Sequence, residues 1–316
     1  MKTLVFWVWA FWFAILNHIS KNNPKKTFYA YDKLDIVLKN VVEKREHPYF
    51  FPWVKIWENI EIVNNLEKTL ATIDLIIIAM PSQVVVETIS WIKNHLNPGV
   101  TLLNLSKWLN NWNCKTIWES LSKELDSLNF NYWVLSGGMI ATELVNWSYL
   151  WADLGIEDEK IWEDIKQIFK NDKLEINIVL GNTKNIELYW SLKNIIAIWV
   201  WYYEWKWYKA STLWYYLCKF YDELKSLIKL LWWSDNLEFS DFSLGWDLIA
   251  TCFWDSRNRT FWKLLWQWKK IDEILDFLSS KNKIAEWYST LKWIYKITKD
   301  KSNFPLINKI WIKIFY

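Results

Sequence analysis

The sequence predicts an α/β domain built on a mostly parallel sheet, followed by an all-α domain. Three observations carry this expectation. Residues 1–185 alternate short β-type runs with helical periodicity, the pattern of a sheet covered by helices on both faces. Residues 186–316 hold long segments with helical spacing and no strand run. A chain of 316 residues is long enough for two domains of ordinary size.

The strand-like runs are Thr3–Phe6, Thr27–Tyr31, Leu75–Met80, Thr101–Leu105, Tyr132–Ser136 and Glu175–Leu180. Each is short, rich in β-branched or aromatic residues, and bounded by polar or turn-forming residues. Helical spacing separates several of them, as in Val84–His95 and Thr116–Leu125. In the second half the helical segments include Glu187–Val200, Ala210–Leu231, Lys270–Leu278 and Ser289–Thr298. The expected boundary therefore divides 1–185 from 186–316.

Hydrophobic residues make up 52% and charged residues 23%, which excludes general disorder. The net charge is +3, from 38 basic and 35 acidic residues, so nothing points to nucleic acid as a partner. Cys114, Cys218 and Cys252 lie far apart and form neither a metal nor a disulfide spacing, which suits a reducing cytoplasm. His18, His47 and His95 form no metal cluster either. The apolar run Leu4–Leu16 is too short for a membrane span, which needs roughly 18 residues or more.

One ratio is out of place. The chain has 29 tryptophans and 6 glycines, where about 22 glycines would be ordinary for this length. Many tryptophans stand where glycine belongs, as in Asn111-Trp112, Asn146-Trp147, Pro52-Trp53 and Trp232-Trp233-Ser234-Asp235-Asn236. With Trp read as Gly, the residues from Leu4 give glycine equivalents at Trp7, Trp9 and Trp12, the G-x-G-x-x-G spacing. They follow a short strand and precede a helical pattern. Asp32 ends the next strand at about the 20-residue distance expected of a dinucleotide fingerprint. Glycine has a physical role at each place: a tight turn, close approach of pyrophosphate to the backbone, and close packing of helix on strand. The expectation is that a UGA codon, read as glycine in the source lineage, has been translated as tryptophan.

Read this way, further motifs fall in a fixed order. After Trp7–Trp12 come Tyr49-Phe50-Phe51-Pro52-Trp53-Val54-Lys55 with Glu58-Asn59-Ile60, then Met80-Pro81-Ser82-Gln83, Leu105-Ser106-Lys107-Trp108 and Val134-Leu135-Ser136-Gly137. The second half adds Leu192-Lys193-Asn194, Gly245-Trp246-Asp247-Leu248, Ser256-Arg257-Asn258-Arg259 and Glu286-Trp287. Along nearly its whole length the chain resembles bacterial NAD(P)-dependent glycerol-3-phosphate dehydrogenase. The resemblance implies a Rossmann-type domain followed by a helical domain, and NAD or NADP as cofactor without a metal. It also implies reversible reduction of dihydroxyacetone phosphate to sn-glycerol 3-phosphate for glycerophospholipid synthesis, in a cytoplasmic homodimer.

The resemblance also assigns residues. Lys193 matches the catalytic lysine, which supplies the proton as hydride reaches the ketone. Taken alone, a lysine in an amphipathic helix is a solvated residue, but the adjoining Asn194-Ile195-Ile196-Ala197 makes burial plausible, and burial lowers a lysine pKa. Lys107 follows a strand, where ligands of open α/β sheets bind, and is assigned to both substrate and cofactor. Asp247 is expected to accept from the substrate or to orient Lys193, with helix capping as the plain alternative. Ser256, Arg257 and Asn258 are assigned to the substrate phosphate, with Arg257 also near the cofactor. A basic run is otherwise ordinary surface charge, and the chain is one residue shorter just before this motif.

Gly137 and Met139 are assigned to the substrate. The family usually has Gly-Pro-Ser-Phe there, so Met139 replaces a serine and donates no hydroxyl hydrogen bond. Trp7, Trp9, Ala10, Phe11, Trp12, Tyr31, Pro81, Ala141 and Glu286 complete the expected cofactor set. Tyr31 stands where the family often carries Arg or His for the 2′-phosphate of NADP, and Asp32 follows it, so NADH is expected to serve at least as well as NADPH. Two other readings compete. One is a related two-domain reductase of another 2-hydroxy or 2-keto compound. The other, if the tryptophans are literal, is a catalytically dead scaffold or an anchored interaction protein.

Overall fold

The computed structural model describes residues 1–6, 10–107, 115–157, 162–181, 183–232, 242–253, 257–267, 270–279 and 287–315. The chain divides into two compact units. The first holds Met1–Asn110 and Lys115–Glu187; the second holds Leu188–Tyr316.

The first unit carries β1 (Thr3–Phe6), α1 (Ala10–Asn22), β2 (Phe28–Tyr31), α2 (Asp35–Lys44), β3 (Ile60–Ile62), α3 (Leu66–Leu70), β4 (Leu75–Ile78) and α4 (Ser82–Ile92). It continues with β5 (Val100–Asn104), α5 (Ile117–Glu124), β6 (Phe130–Gly137), α6 (Ala141–Val145), β7 (Leu150–Ile156), α7 (Trp162–Phe169) and β8 (Leu174–Leu180). The eight strands form one sheet in the order β3-β2-β1-β4-β5-β6-β7-β8. All neighbours are parallel except β6 and β7. The first six strands have the order of a doubly wound dinucleotide fold, whose crevice opens where the winding reverses, between β1 and β4.

Burial on both faces explains the near-continuous apolar runs of the central strands. Val5, Ile77, Leu103 and Leu135 face one core with α1. Leu4, Phe6, Ile76, Ile78, Leu102 and Val134 face the other with α4 and α5. The alternation along each strand is the two-residue period of a pleated sheet. Two strands, β3 and β7, fall outside the sequence expectation. Gly137 pairs with Ala152 across the antiparallel step. A Cβ at Gly137 would lie 2.6 Å from the Ala152 Cα, so glycine is what lets β7 approach.

The second unit is helical: α8 (Thr183–Trp205, which begins in the first unit), α9 (Ala210–Trp232), α10 (Asp247–Phe253), α11 (Arg257–Trp266), α12 (Ile271–Ser279), α13 (Trp287–Thr298) and α14 (Pro305–Phe315). Residues 191–200 of α8 are all buried, which makes it the central helix of the unit. Indole N–H groups tie neighbours to it: Trp199 Nε1 donates to the Leu306 carbonyl (3.0 Å) and Trp201 Nε1 to that of Cys252 (2.8 Å). Glu223 on α9 accepts from the Leu306 and Ile307 amides at 2.8 and 2.9 Å, satisfying the start of α14.

Two helices end in an unexpected way. After α6, Trp147 has φ +56°, its amide donates to the Leu144 carbonyl, and the Ser148 amide donates to that of Glu143. After α8, Trp207 has φ +63°, its amide donates to Glu204, and the Tyr208 amide donates to Tyr203. Both are Schellman caps, and the left-handed residue in such a cap is normally glycine. Here it is tryptophan, twice.

Candidate active site

The carboxyl ends of the parallel strands gather one set of expected residues. Ala10, Phe11 and Trp12 open α1 just beyond β1, and Tyr31 ends β2. Pro81 caps α4 after β4, Lys107 follows β5, and Ala141 opens α6 after β6. The first turn of α1 contains no acidic residue, so its positive dipole end is open to an anion. A helix start of this kind suits an anionic group such as a pyrophosphate. Trp7, Trp9, Ser256 and Glu286 lie outside the described residues.

Trp12 is fully buried in the apolar core, and among the described residues its indole nitrogen has no hydrogen-bond partner. A buried N–H left in that state is costly, and glycine at this place would carry none. Asp32 is buried and accepts from the Leu34 amide at 2.7 Å, so its carboxylate is fixed beside the end of β2. Met139 is 1% exposed and belongs to the apolar core. Its side chain does not join the polar residues of the strand ends, which leaves only its backbone for a ligand.

The second unit brings another pair together. Lys193 on α8 donates to Asp247 Oδ2 at the first turn of α10, and both are buried. The Asp247 expectation that points to Lys193 is the one the geometry favours. Burial lowers the Lys193 pKa, opposed by the Asp247 carboxylate and by Cys252. Cys252 lies on α10 with Asp247, and burial pushes its thiol well up. The Lys193 ammonium also lies 5.9 Å from the centre of the Trp190 ring. Sequence reasoning passed over both neighbours. Their signals were spacing only: Trp190 sits one helical turn before Lys193, and Cys252 shares a short helix with Asp247. Arg257 and Asn258 open α11. Among the described residues, no group of three or more His, Cys, Asp or Glu can hold a metal, and no helix is long and apolar enough to cross a membrane.

A doubly wound nucleotide-binding sheet followed by a helical unit with a buried Lys–Asp pair defines a two-domain, nucleotide-dependent oxidoreductase. Comparison with known proteins narrows the class. The N-terminal domain of NAD-dependent glycerol-3-phosphate dehydrogenase matches residues 9–162, and the C-terminal domain matches residues 182–316. The chain belongs to this family. The glycerol-3-phosphate dehydrogenase [NAD(P)+] of Fusobacterium nucleatum is 24% identical over 97% of this chain and 90% of that protein. Its counterpart in Teredinibacter turnerae is 26% identical over 92% of this chain and 82% of that one. Among solved structures, the glycerol-3-phosphate dehydrogenase of Plasmodium falciparum has the same fold, with a TM-score of 0.90 at 19% identity, covering 100% of this chain and 91% of that one.

Proposed function

We propose that this protein reduces dihydroxyacetone phosphate to sn-glycerol 3-phosphate with NADH or NADPH, reversibly, with Lys193 as general acid and base. The observation that carries the reading is the buried Lys193–Asp247 pair in a chain of this family. Bound nicotinamide supplies the hydride. The chain supplies the rest. As negative charge develops on the ketone oxygen, the Lys193 ammonium is placed to release a proton, and its lowered pKa makes that release easier. Asp247 holds the ammonium in one orientation and keeps a buried charge compensated.

Lys107, Gly137, Ser256, Arg257 and Asn258 are assigned to the substrate, with the guanidinium on phosphate oxygens. The helix start at Ala10–Trp12, with Tyr31, Pro81, Lys107, Ala141, Arg257 and Glu286, is assigned to the dinucleotide. The assembly is a cytoplasmic homodimer serving glycerophospholipid synthesis, as the resemblance implies.

The pyrophosphate site requires glycine at 7, 9 and 12, and the native protein carries it there through a UGA codon read as glycine. The two Schellman caps and the unpartnered Trp12 indole support this independently of function.

The test compares the chain as written with one carrying Trp7→Gly, Trp9→Gly and Trp12→Gly, following loss of NADH absorbance with dihydroxyacetone phosphate. The glycine chain turns over and the other does not. A glycine chain that binds NADH but leaves this ketone untouched would sink the substrate assignment. With Asp32 fixed beside Tyr31, kcat/KM for NADH at least equals that for NADPH; a preference for NADPH of about tenfold or more overturns that part. The mass of the tryptic peptide Thr3–Lys21 from source cells reads the three positions directly.

A further inference from the structure

Glu187 is the last residue of the first unit and is buried. Its carboxylate accepts from two consecutive backbone amides at the start of α5, Ile117 at 2.5 Å and Trp118 at 3.3 Å. It also accepts from the Tyr132 hydroxyl on β6, at 3.3 Å. Tyr132 is in turn hydrogen-bonded to the Asn104 side chain at the end of β5. Asn104 Oδ1 accepts from the Ser106 amide at 2.8 Å, and its Nδ2 donates to the Ser106 carbonyl at 3.4 Å. Asn104, Ser106, Tyr132 and Glu187 are all buried.

Lys107 follows Ser106 directly, and the chain re-enters described structure at Lys115 before α5. One continuous buried network therefore grips the backbone immediately before Lys107 and again where α5 begins. The capping box of Thr116 and Glu119 fixes the same helix start from outside the network. The two amides and the hydroxyl offset part of the desolvation cost of this carboxyl group, and burial outweighs them enough to raise its pKa to about 7. Nothing in the reaction as proposed uses Glu187, Tyr132 or Asn104. Nor does the sheet itself require polar groups there, since apolar residues fill the equivalent places on this face.

We infer that Glu187, Tyr132 and Asn104 are positioning residues for Lys107, fixing the strand end that presents its ammonium to the ligands. This rests on Lys107 being a ligand-binding residue, as the function above has it. The device works by geometry. The Tyr132 hydroxyl bridges the Glu187 carboxylate and the Asn104 side chain, so removing one oxygen breaks that link between the two anchors while leaving the ring in place.

A double-mutant cycle tests this in the full chain carrying glycine at 7, 9 and 12. Tyr132→Phe lowers kcat/KM by about three- to tenfold when Lys107 is present, the loss expected for one hydrogen bond in a buried network. In the Lys107→Ala background the same change has an effect below about twofold, because there is no ammonium left to misplace. Glu187→Gln, which keeps one acceptor oxygen, behaves likewise and guards against a folding defect peculiar to one variant. Equal losses in both backgrounds would overturn the inference, since a general weakening of the fold does not depend on Lys107. Amide hydrogen exchange gives a reading independent of turnover. Tyr132→Phe speeds exchange at Ser106, whereas unchanged protection there overturns the inference whether or not the enzyme assignment stands. Loss of the ligand role of Lys107 would appear separately, as a Lys107→Ala chain with unaltered kcat/KM.

Discussion

Trp207 offers the sharpest test of the glycine reading. The residue has φ +63°, in the left-handed region. For a residue with a Cβ that conformation costs roughly 1–2 kcal/mol. The indole is 84% exposed, so its removal forfeits almost no buried area. Trp207→Gly relieves the strain but also gives the unfolded chain more freedom, which returns roughly 0.5–1 kcal/mol. The net expectation is a gain of about 1 kcal/mol, or a rise of about 2 °C in Tm for a chain of this size.

Trp207→Ala is the control. It removes the same indole but keeps a Cβ, so it stays strained and gains nothing. Urea unfolding monitored by circular dichroism, with both variants against the parent, separates the two. If Trp207→Gly is no more stable than Trp207→Ala, the left-handed cap is not what the residue suffers from, and the argument fails. Trp147→Gly should gain less. Its ring stacks on His18 with centroids 5.5 Å apart, and the Lys21 ammonium lies 3.6 Å from its centre. Losing that cation–π contact alone offsets about 0.5–1 kcal/mol.

Two further outcomes follow from the buried charges. Lys193→Met lowers kcat by roughly 10²–10⁴-fold and also destabilises the fold, because it leaves Asp247 buried and unpaired. Adding Asp247→Leu restores much of the stability and none of the turnover; recovery of turnover would show that Lys193 is not the proton donor. Burial raises the Glu187 pKa from its ordinary value to about 7. Its stabilising contribution is thus present below the unfolded value, near 4.5, and is lost as pH rises through about 7. Glu187→Gln flattens that slope in a stability-against-pH curve, and a slope unchanged in the variant would refute the assignment.

Much of the architecture was readable in the chain. Leu75-Ile76-Ile77-Ile78 reads as a strand covered on both faces, and Ile195–Val200 within the buried stretch of α8 shows as an uninterrupted apolar segment. β3 was invisible because three residues carry no period. β7 was missed because Asp153 and Gly155 break its pattern; the buried Asp153 is matched by Asn177 at 2.9 Å, a partner that only the β7–β8 register supplies.

The site divides in the same way. Lys193 was marked by its motif and by the apolar residues after it. Its pairing with Asp247 joins residues far apart in sequence, and nothing local announces it. Met139 drew notice as a departure from the usual serine, yet it points into the core. The network around Glu187 left no local trace at all, since each of its polar residues is unremarkable until β5, β6 and α5 bring them together.

The two left-handed helix ends have a meaning beyond stability. A torsion angle is blind to the codon that specified the residue. At Trp147 and Trp207 the backbone favours a residue without a side chain, while the sequence supplies the largest one. If UGA is read as glycine in the source, as proposed above, such mismatches are where the fold would register it. Tryptophans at left-handed helix caps in other tryptophan-rich, glycine-poor chains can then be examined for the same mismatch, whereas a left-handed Arg45 after α2 shows that positive φ alone does not mark it.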